Sequence, residues 1–216
     1  MNHRPVVITL AVLAIVGSCA WLYVKWPGRG PAIRLDSYQA LGQVAAEETD
    51  RLLAHQGRVV LIAHHNPAAP NPVDEAQLKA FRGALKRIGG VSVAALETFS
   101  LTPMEQMSTG GSVPRERFLE VLRAHPKVQG LVLFVAYPAL QSADLDQLKR
   151  TGMRIILISG YRPGYKRLLE TGLLHLAIVP RLDERAEPSQ PPRTVREWFD
   201  RDYMVVTPDK TTAMPY

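Results

Sequence analysis

Short apolar runs alternate with helix-like segments along most of this chain, and that alternation limits its fold more than any other feature. The runs are rich in Val, Ile and Leu, as in strands buried on both faces of a sheet. They predict strands at residues 58–63, 91–96, 130–136, 153–159, 174–179 and 203–207, the last of them at an edge. Strands that alternate with helices specify a mostly parallel sheet with right-handed crossovers. Because a closed barrel needs eight repeats, we expect an α/β fold with an open, doubly wound sheet of five to six strands.

The segments between these strands carry helix start and stop signals. The clearest helix follows the first strand: Asn71 is a capping residue, Pro72 occupies the first turn, and Gly89 ends the helix. Ser112 and Ser142 are predicted to cap two later helices, and the residues between the second strand and Ser112 are predicted to be a loop. Further helices are predicted at residues 36–55, 163–171 and 194–199.

The N-terminus contains a run of nineteen residues without a charge, 6–24. As a helix it would extend roughly 28 Å, about the thickness of a bilayer's hydrocarbon core, and Trp21, Tyr23 and Trp26 lie at one end as interfacial aromatics do. A buried core helix, a cleaved secretory signal and a lipoprotein signal ending at Cys19 are the alternatives; the aromatic continuation favours an uncleaved anchor. The predicted divisions are a tail (1–5), a transmembrane anchor (6–24), a linker (25–35), the α/β domain (36–208) and a flexible tail (209–216).

Two arguments about membrane orientation conflict. Basic residues flanking the anchor are Arg4 on one side and Lys25, Arg29 and Arg34 on the other, which favours a cytoplasmic domain. An N-terminal tail of only five residues is typical of a signal-anchor that exports the domain after it. We expect the domain to be extracytoplasmic.

Composition excludes several classes of function. The net charge of +6 is spread along the chain and does not form a basic stripe, so nucleic-acid binding is not expected. Cys19 is the only cysteine, which leaves no intramolecular disulfide and no cysteine metal site. The sequence lacks the G-x-G-x-x-G, GxxxxGK[ST] and G-x-S-x-G motifs of dinucleotide, P-loop and hydrolase sites. We therefore expect no cofactor.

Polar side chains follow the predicted strands at their carboxyl ends, where open α/β sheets bind ligands. The candidate ligand-binding residues are His64, His65, Asn66, Glu97, Tyr137, Tyr161, Arg162 and Arg181. In a flavodoxin-like strand order, His64, His65, Asn66 and Tyr137 would line the crevice at the switch point between the first and third strands.

The chemistry available to these residues is limited. Adjacent strand residues point in opposite directions, so His64 and His65 are not expected to share a metal ion. Glu97 could act as a general acid or base but has no identifiable partner carboxylate, and the two arginines could hold an anionic group. His175, among apolar neighbours, is predicted to be structural.

From residue 58 to about 179 the chain resembles one lobe of the type 1 periplasmic binding proteins, the sugar- and amino-acid-binding family related to LacI-type regulators. The likeness rests on residues 59–62 followed by Asn66-Pro67, and on residues 81–85, 128–133 and 148–156. It implies a flavodoxin-like lobe outside the cytoplasm that recognises a small polar ligand from the strand ends. The chain departs from the family in two ways: it has length for one lobe only, and loop 64–69 lacks the usual stacking aromatic.

These patterns favour a membrane-tethered, extracytoplasmic, non-catalytic domain that binds a small ligand or acts as a sensor. An envelope assembly or scaffold protein is the first alternative, and an enzyme using His64, His65 and Glu97 is the second. The membrane, a small polar ligand, and a second copy or a membrane-complex protein are the expected partners.

Overall fold

A computed structural model describes residues 13–21, 34–67, 70–158, 164–181 and 191–213. The chain divides into two compact units, Met1–Arg34 and Leu35–Tyr216. In the first unit residues 13–21 are helical (α1). Among the described residues, no helix combines the length and apolar character needed to cross a bilayer. The predicted tail 1–5 lies outside the described residues, as do most of the predicted anchor 6–24 and most of the linker 25–35.

The second unit is a six-stranded sheet with helices on both faces, which confirms the predicted α/β class. Its strands are β1 (Gly57–His64), β2 (Val91–Phe99), β3 (Gly130–Leu133), β4 (Arg154–Ile158), β5 (Leu176–Pro180) and β6 (Tyr203–Val206). Its helices are α2 (Asp36–Leu52), α3 (Pro72–Ile88), α4 (Pro103–Thr109), α5 (Arg115–Ala124), α6 (Ser142–Thr151), α7 (Tyr165–Glu170) and α8 (Val195–Asp202). A 3₁₀ helix, Pro208–Ala213, follows β6. It includes part of the predicted flexible tail 209–216, and its Thr211 is buried.

The strand order is β2-β1-β3-β4-β5-β6. The first five strands are parallel, and β6 pairs antiparallel with β5 through Ile178 and Val205, so the predicted edge position of the last strand is confirmed. The order 2-1-3-4-5 is the flavodoxin-like one, whose direction of winding reverses between β1 and β3.

Two hydrophobic clusters cover the two faces of the sheet. Alternate residues of β1 belong to different clusters. Val60 and Ile62 pack with residues of α5, α6 and α7, whereas Val59 and Leu61 pack with residues of α2, α3 and α8. This is why β1 has no hydrophobic–polar alternation in its sequence. The edge strand β2 does alternate, with Leu96 among its more exposed residues.

Two helix starts differ from the prediction. Ser112 does not cap α5: its hydroxyl donates to the carbonyl of Thr109 at 2.9 Å, and its backbone bridges to Ala136. Pro114 occupies the N-cap of α5, and the short helix α4 replaces the predicted loop. Gln141, not Ser142, is the N-cap of α6.

An Arg–carboxylate fork joins α5 to α6. Arg115 donates from Nε and Nη2 to the two carboxylate oxygens of Asp144, at 2.5 and 2.7 Å. Asp144 also accepts the backbone N–H of Gln141 at 2.9 Å. The hydrogen bonds from Arg115 hold the pKa of the Asp144 carboxyl below its ordinary value.

Candidate functional site

A cavity of about 320 Å³ lies at the carboxyl ends of β1 and β2. Small-molecule sites in proteins begin at about this volume. The cavity lies beside the switch point, where the helices that follow β1 and β3 leave on opposite faces of the sheet and open a crevice. Its lining residues are Ala63, His64, His65, Asn66, Pro70, Asn71, Asp74, Glu75, Gln77, Leu78, Leu96, Thr98, Gln106 and Phe134.

The first wall of the cavity is the end of β1. The backbone N–H of His65 donates to the carbonyl of Phe99 at 2.9 Å, which extends the pairing of β1 with β2 into the loop. The His64 ring stands edge-on to Phe99, 5.9 Å between ring centroids, and its Nε2 accepts the backbone N–H of Leu101 at 3.3 Å. His64 is therefore held in place at the cavity, whereas the His65 side chain is exposed.

The second wall is the first turn of α3. Asn71 caps this helix by accepting the N–H of Val73 at 3.0 Å, as predicted from the sequence, and Pro72 is in the first turn. The Asn71 amide also donates to Asp74 at 3.0 Å and so orients this carboxylate. Burial raises the pKa of Asp74, and the Asn71 hydrogen bond and the neighbouring His64 oppose that rise.

The remaining wall combines polar and apolar side chains. Thr98 and Leu96 come from β2, and Gln106 comes from α4. The start of α4 is fixed by a capping box in which Thr102 accepts the N–H of Glu105 at 3.2 Å while Glu105 accepts that of Thr102 at 2.8 Å. Phe134, just after β3, packs edge-on against Phe81 at 5.3 Å and supplies an aromatic surface.

Three of the predicted site residues lie away from this cavity. Glu97 pairs with His125 at 2.8 Å, and the buried Tyr137 belongs to the cluster of α5, α6 and α7, donating to the carbonyl of Leu173 at 3.4 Å. Burial raises the pKa of the Tyr137 phenol. Arg181 donates from Nε to the backbone carbonyl of Tyr203 at 3.0 Å and so secures the β5–β6 edge.

The structure therefore brings His64, His65 and Asn66 together, but not with Glu97, Tyr137 or Arg181. Tyr161 and Arg162 lie outside the described residues. Within the described ranges, no group of three or more His, Cys, Asp or Glu side chains could hold a metal ion.

Seven polar or aromatic lining residues were not foreseen as site residues: Asp74, Asn71, Glu75, Gln77, Thr98, Gln106 and Phe134. The sequence contained a signal for Asp74, because the first turn of a helix that follows a strand end faces the ligand crevice in such sheets. It carried no local signal for Gln106, whose place depends on α4.

His175 is a structural residue, as the sequence predicted. Its Nδ1 accepts the backbone N–H of Ile155 at 3.1 Å, and its own backbone N–H donates to the carbonyl of Ile155 at 2.9 Å. Burial and the nearby Arg154 lower the pKa of His175 to about 4, so its ring is neutral when it accepts this bond.

Comparison with solved structures shows what this fold resembles. A sugar-binding protein of a sugar ABC transporter from Bacillus halodurans matches at 17% identity and a TM-score of 0.56, over 82% of this chain and 64% of its own. An arabinose-binding protein from Geobacillus stearothermophilus matches at 16% identity and a TM-score of 0.57, over 83% and 63%. An ABC transporter solute-binding protein from Burkholderia graminis, in complex with D-arabinose, matches at 16% identity and a TM-score of 0.52, over 82% and 62%.

The predicted resemblance to periplasmic sugar-binding proteins is thus confirmed for the fold. The match spans less than two thirds of the length of each of these proteins. No protein-family model and no curated protein matches the chain.

Proposed function

We propose that this protein is a non-catalytic binding domain for a small polar ligand of the sugar class, held at the outer surface of a membrane by residues 6–24. The observation that carries this proposal is the cavity at the carboxyl ends of β1 and β2, next to the switch point of a flavodoxin-like sheet. The fold it shares with sugar-binding proteins of transporters supports the same class of ligand.

The lining suits a polyhydroxylated molecule. The amides of Asn66 and Gln106 and the hydroxyl of Thr98 can both donate and accept hydrogen bonds, as sugar hydroxyls do. Phe134 offers an aromatic surface to the apolar face of a sugar ring. It could take the role of the stacking aromatic residue that loop 64–69 lacks. These donors, acceptors and one apolar surface are the ordinary composition of a small-ligand site.

Within the described residues, one sheet and its helices form the site. A bound ligand is therefore covered on one side only. A ligand that keeps part of its surface in water recovers less desolvation energy and makes fewer hydrogen bonds than one enclosed on all sides. We therefore expect weak binding by the isolated protein, and tighter binding where a second protein covers the open side.

A thermal-shift titration with arabinose, ribose, glucose and galactose tests the proposal, using the full-length protein in mild detergent. A ligand that binds only the folded state raises Tm with concentration. Asn66→Ala and Gln106→Ala should each weaken binding severalfold to about tenfold, since each removes hydrogen bonds to the ligand. Gln147→Ala, on the exposed face of α6, is the matched control and should bind as wild type does. No Tm shift with any of the four sugars at about 50 mM, a concentration that would reveal even millimolar affinity, contradicts the proposal.

An assembly role in the cell envelope is the second candidate, favoured by α4. Met104 and Met107 on this helix are 80% and 86% exposed, and methionine is enriched in protein–protein interfaces. Cross-linking in intact cells from a photoreactive residue at position 107 tests this role. A discrete adduct that persists in saturating sugar supports assembly, and the absence of any adduct argues against it.

A further inference from the structure

The charge of the cavity is opposite to that of the protein. The chain has a net charge of +6, yet the charged side chains that line the cavity among the described residues are the carboxylates of Asp74 and Glu75. With the two histidines neutral, the lining has a formal charge of −2. The lining comes from residues 63–78, 96–106 and 134, which contain no Lys or Arg, and Lys79 follows directly after the first of these segments.

Part of this charge is half-buried, and there it acts more strongly than on an open surface, whereas Glu75 is exposed. Asp74 is half-buried, and its carboxylate, which accepts a hydrogen bond from the Asn71 amide, has further acceptor positions for a ligand. Burial disfavours its ionised form, and no Lys or Arg among the described lining residues offsets that cost. A cationic ligand group would offset it, because opposite charges attract more strongly where water is partly excluded.

The other titratable residues of the described lining are His64 and His65, from the end of β1, and Glu75, from α3. Glu105 of α4 is next to the lining residue Gln106, and Lys79 of α3 shares a neighbouring groove with Glu75. The Glu105 carboxylate is engaged by the N–H and hydroxyl of Thr102, both at 2.8 Å. An anionic ligand would therefore meet two carboxylates and no Lys or Arg in this lining, and its binding is disfavoured.

We propose that the ligand of this site is a cationic polyol, a sugar-sized molecule that carries a protonated amine. The ammonium group binds the carboxylates of Asp74 and Glu75, and the hydroxyl groups bind the amides and hydroxyl of the opposite wall. The inference rests on the proposed function and names its ligand class: amine-bearing sugars are selected, neutral sugars bind less tightly, and sugar acids are rejected.

Three sugars that differ only at carbon 6 test this: 6-amino-6-deoxy-D-glucose, D-glucose and D-glucuronate, together with the corresponding galactose series. The full-length protein in detergent is titrated calorimetrically at about pH 8, where histidine side chains are ordinarily neutral. In at least one series the amino sugar should bind at least tenfold more tightly than the neutral sugar, which is about 1.4 kcal/mol. The uronate should show no binding.

Asp74→Asn provides the decisive variant because it removes one charge and keeps the size of the side chain. It should reduce the preference for the amino sugar over the neutral sugar to threefold or less. Asp146→Asn is the control: it removes the same charge from the exposed face of α6 and should keep the full preference. Near-UV circular dichroism confirms that both variants are folded.

The two proposals fail in different ways. If none of the six sugars binds, the charge inference is wrong, and the proposed function fails with it if arabinose and ribose also give no Tm shift. If neutral sugars bind as tightly as amino sugars, or uronates bind as well, the site takes sugars but the charge inference is wrong. If the preference is present and Asp74→Asn leaves it unchanged, the assignment to this cavity is wrong.

Discussion

Gly42 marks the closest approach between α2 and α3. A Cβ atom built on Gly42 would lie 2.2 Å from the carbonyl oxygen of Gln77 and 3.0 Å from both the Cβ of Ala80 and the backbone nitrogen of Phe81. The first distance is far below van der Waals contact, and the obstructing atom belongs to a helix backbone, which cannot rotate away. The two helices must therefore separate by about 1 Å to accept even alanine.

The expected free-energy change follows from two opposing terms. Replacing glycine by alanine in a helix favours folding by about 0.5–1 kcal/mol. Overpacking of a close-packed interior costs typically about 1–3 kcal/mol, and the upper end applies where backbone must move. We expect Gly42→Ala to lower the free energy of unfolding by about 2–2.5 kcal/mol.

Gly83→Ala is the matched control because Gly83 is a glycine of α3 whose added Cβ would meet only the Arg87 guanidinium, at 3.7 Å. The helix-propensity term alone then applies, and this variant should be more stable than wild type by about 0.5–1 kcal/mol. Urea unfolding followed by far-UV circular dichroism measures both changes. A Gly42→Ala protein as stable as wild type would refute the argument from close packing.

Three further predictions concern other parts of the domain. Arg115 lowers the pKa of Asp144, so Asp144→Asn should lower the unfolding midpoint at about pH 7, and this difference should disappear as pH falls below the ordinary value of 3.8. Burial lowers the pKa of His175 to about 4. As pH falls from about 6.5 to 4, the free energy of unfolding of wild type, measured in urea titrations, should therefore drop by about 1–2 kcal/mol relative to His175→Asn; this magnitude is reduced because the ring is partly exposed. Thr102→Ala removes the cap of α4 and should weaken sugar binding severalfold. Thr194→Ala breaks the same kind of capping box on α8, and it should lower the free energy of unfolding by about 1 kcal/mol without changing affinity.

The sheet could be predicted from the sequence because each buried strand is a compact apolar run with a clear boundary. The α3 helix was equally legible: Asn71, Pro72 and Gly89 are all local signals, and Gly89 adopts the left-handed conformation expected of a C-cap. The prediction that Ser112 caps α5 was wrong because a serine hydroxyl can either cap the helix that follows it or hydrogen-bond within the turn that precedes it. Local sequence does not decide between these uses.

The candidate site was only partly predictable, since sequence marks where a strand ends but not which way a side chain points there. Glu97 and Thr98 are neighbours at the end of β2, yet alternation along the strand directs their side chains to opposite faces. Tyr137 was placed in the crevice because β3 was predicted to continue to residue 136. The strand ends at Leu133, and Phe134 reaches the cavity instead.

The position of the cavity wall depends on elements outside the βα repeats. The first turn of α3 carries Asp74, and α3 is held by α2, which precedes β1 in the chain and approaches α3 most closely at Gly42. The start of α2 is tied to α8 by a hydrogen bond from Ser37 to Asp202. A helix before the sheet and one near its end thus fix the helix that lines the site. Because Gln77 both obstructs Gly42 and lines the cavity, Gly42→Ala should weaken ligand binding as well as stability, whereas Gly83→Ala should change stability alone.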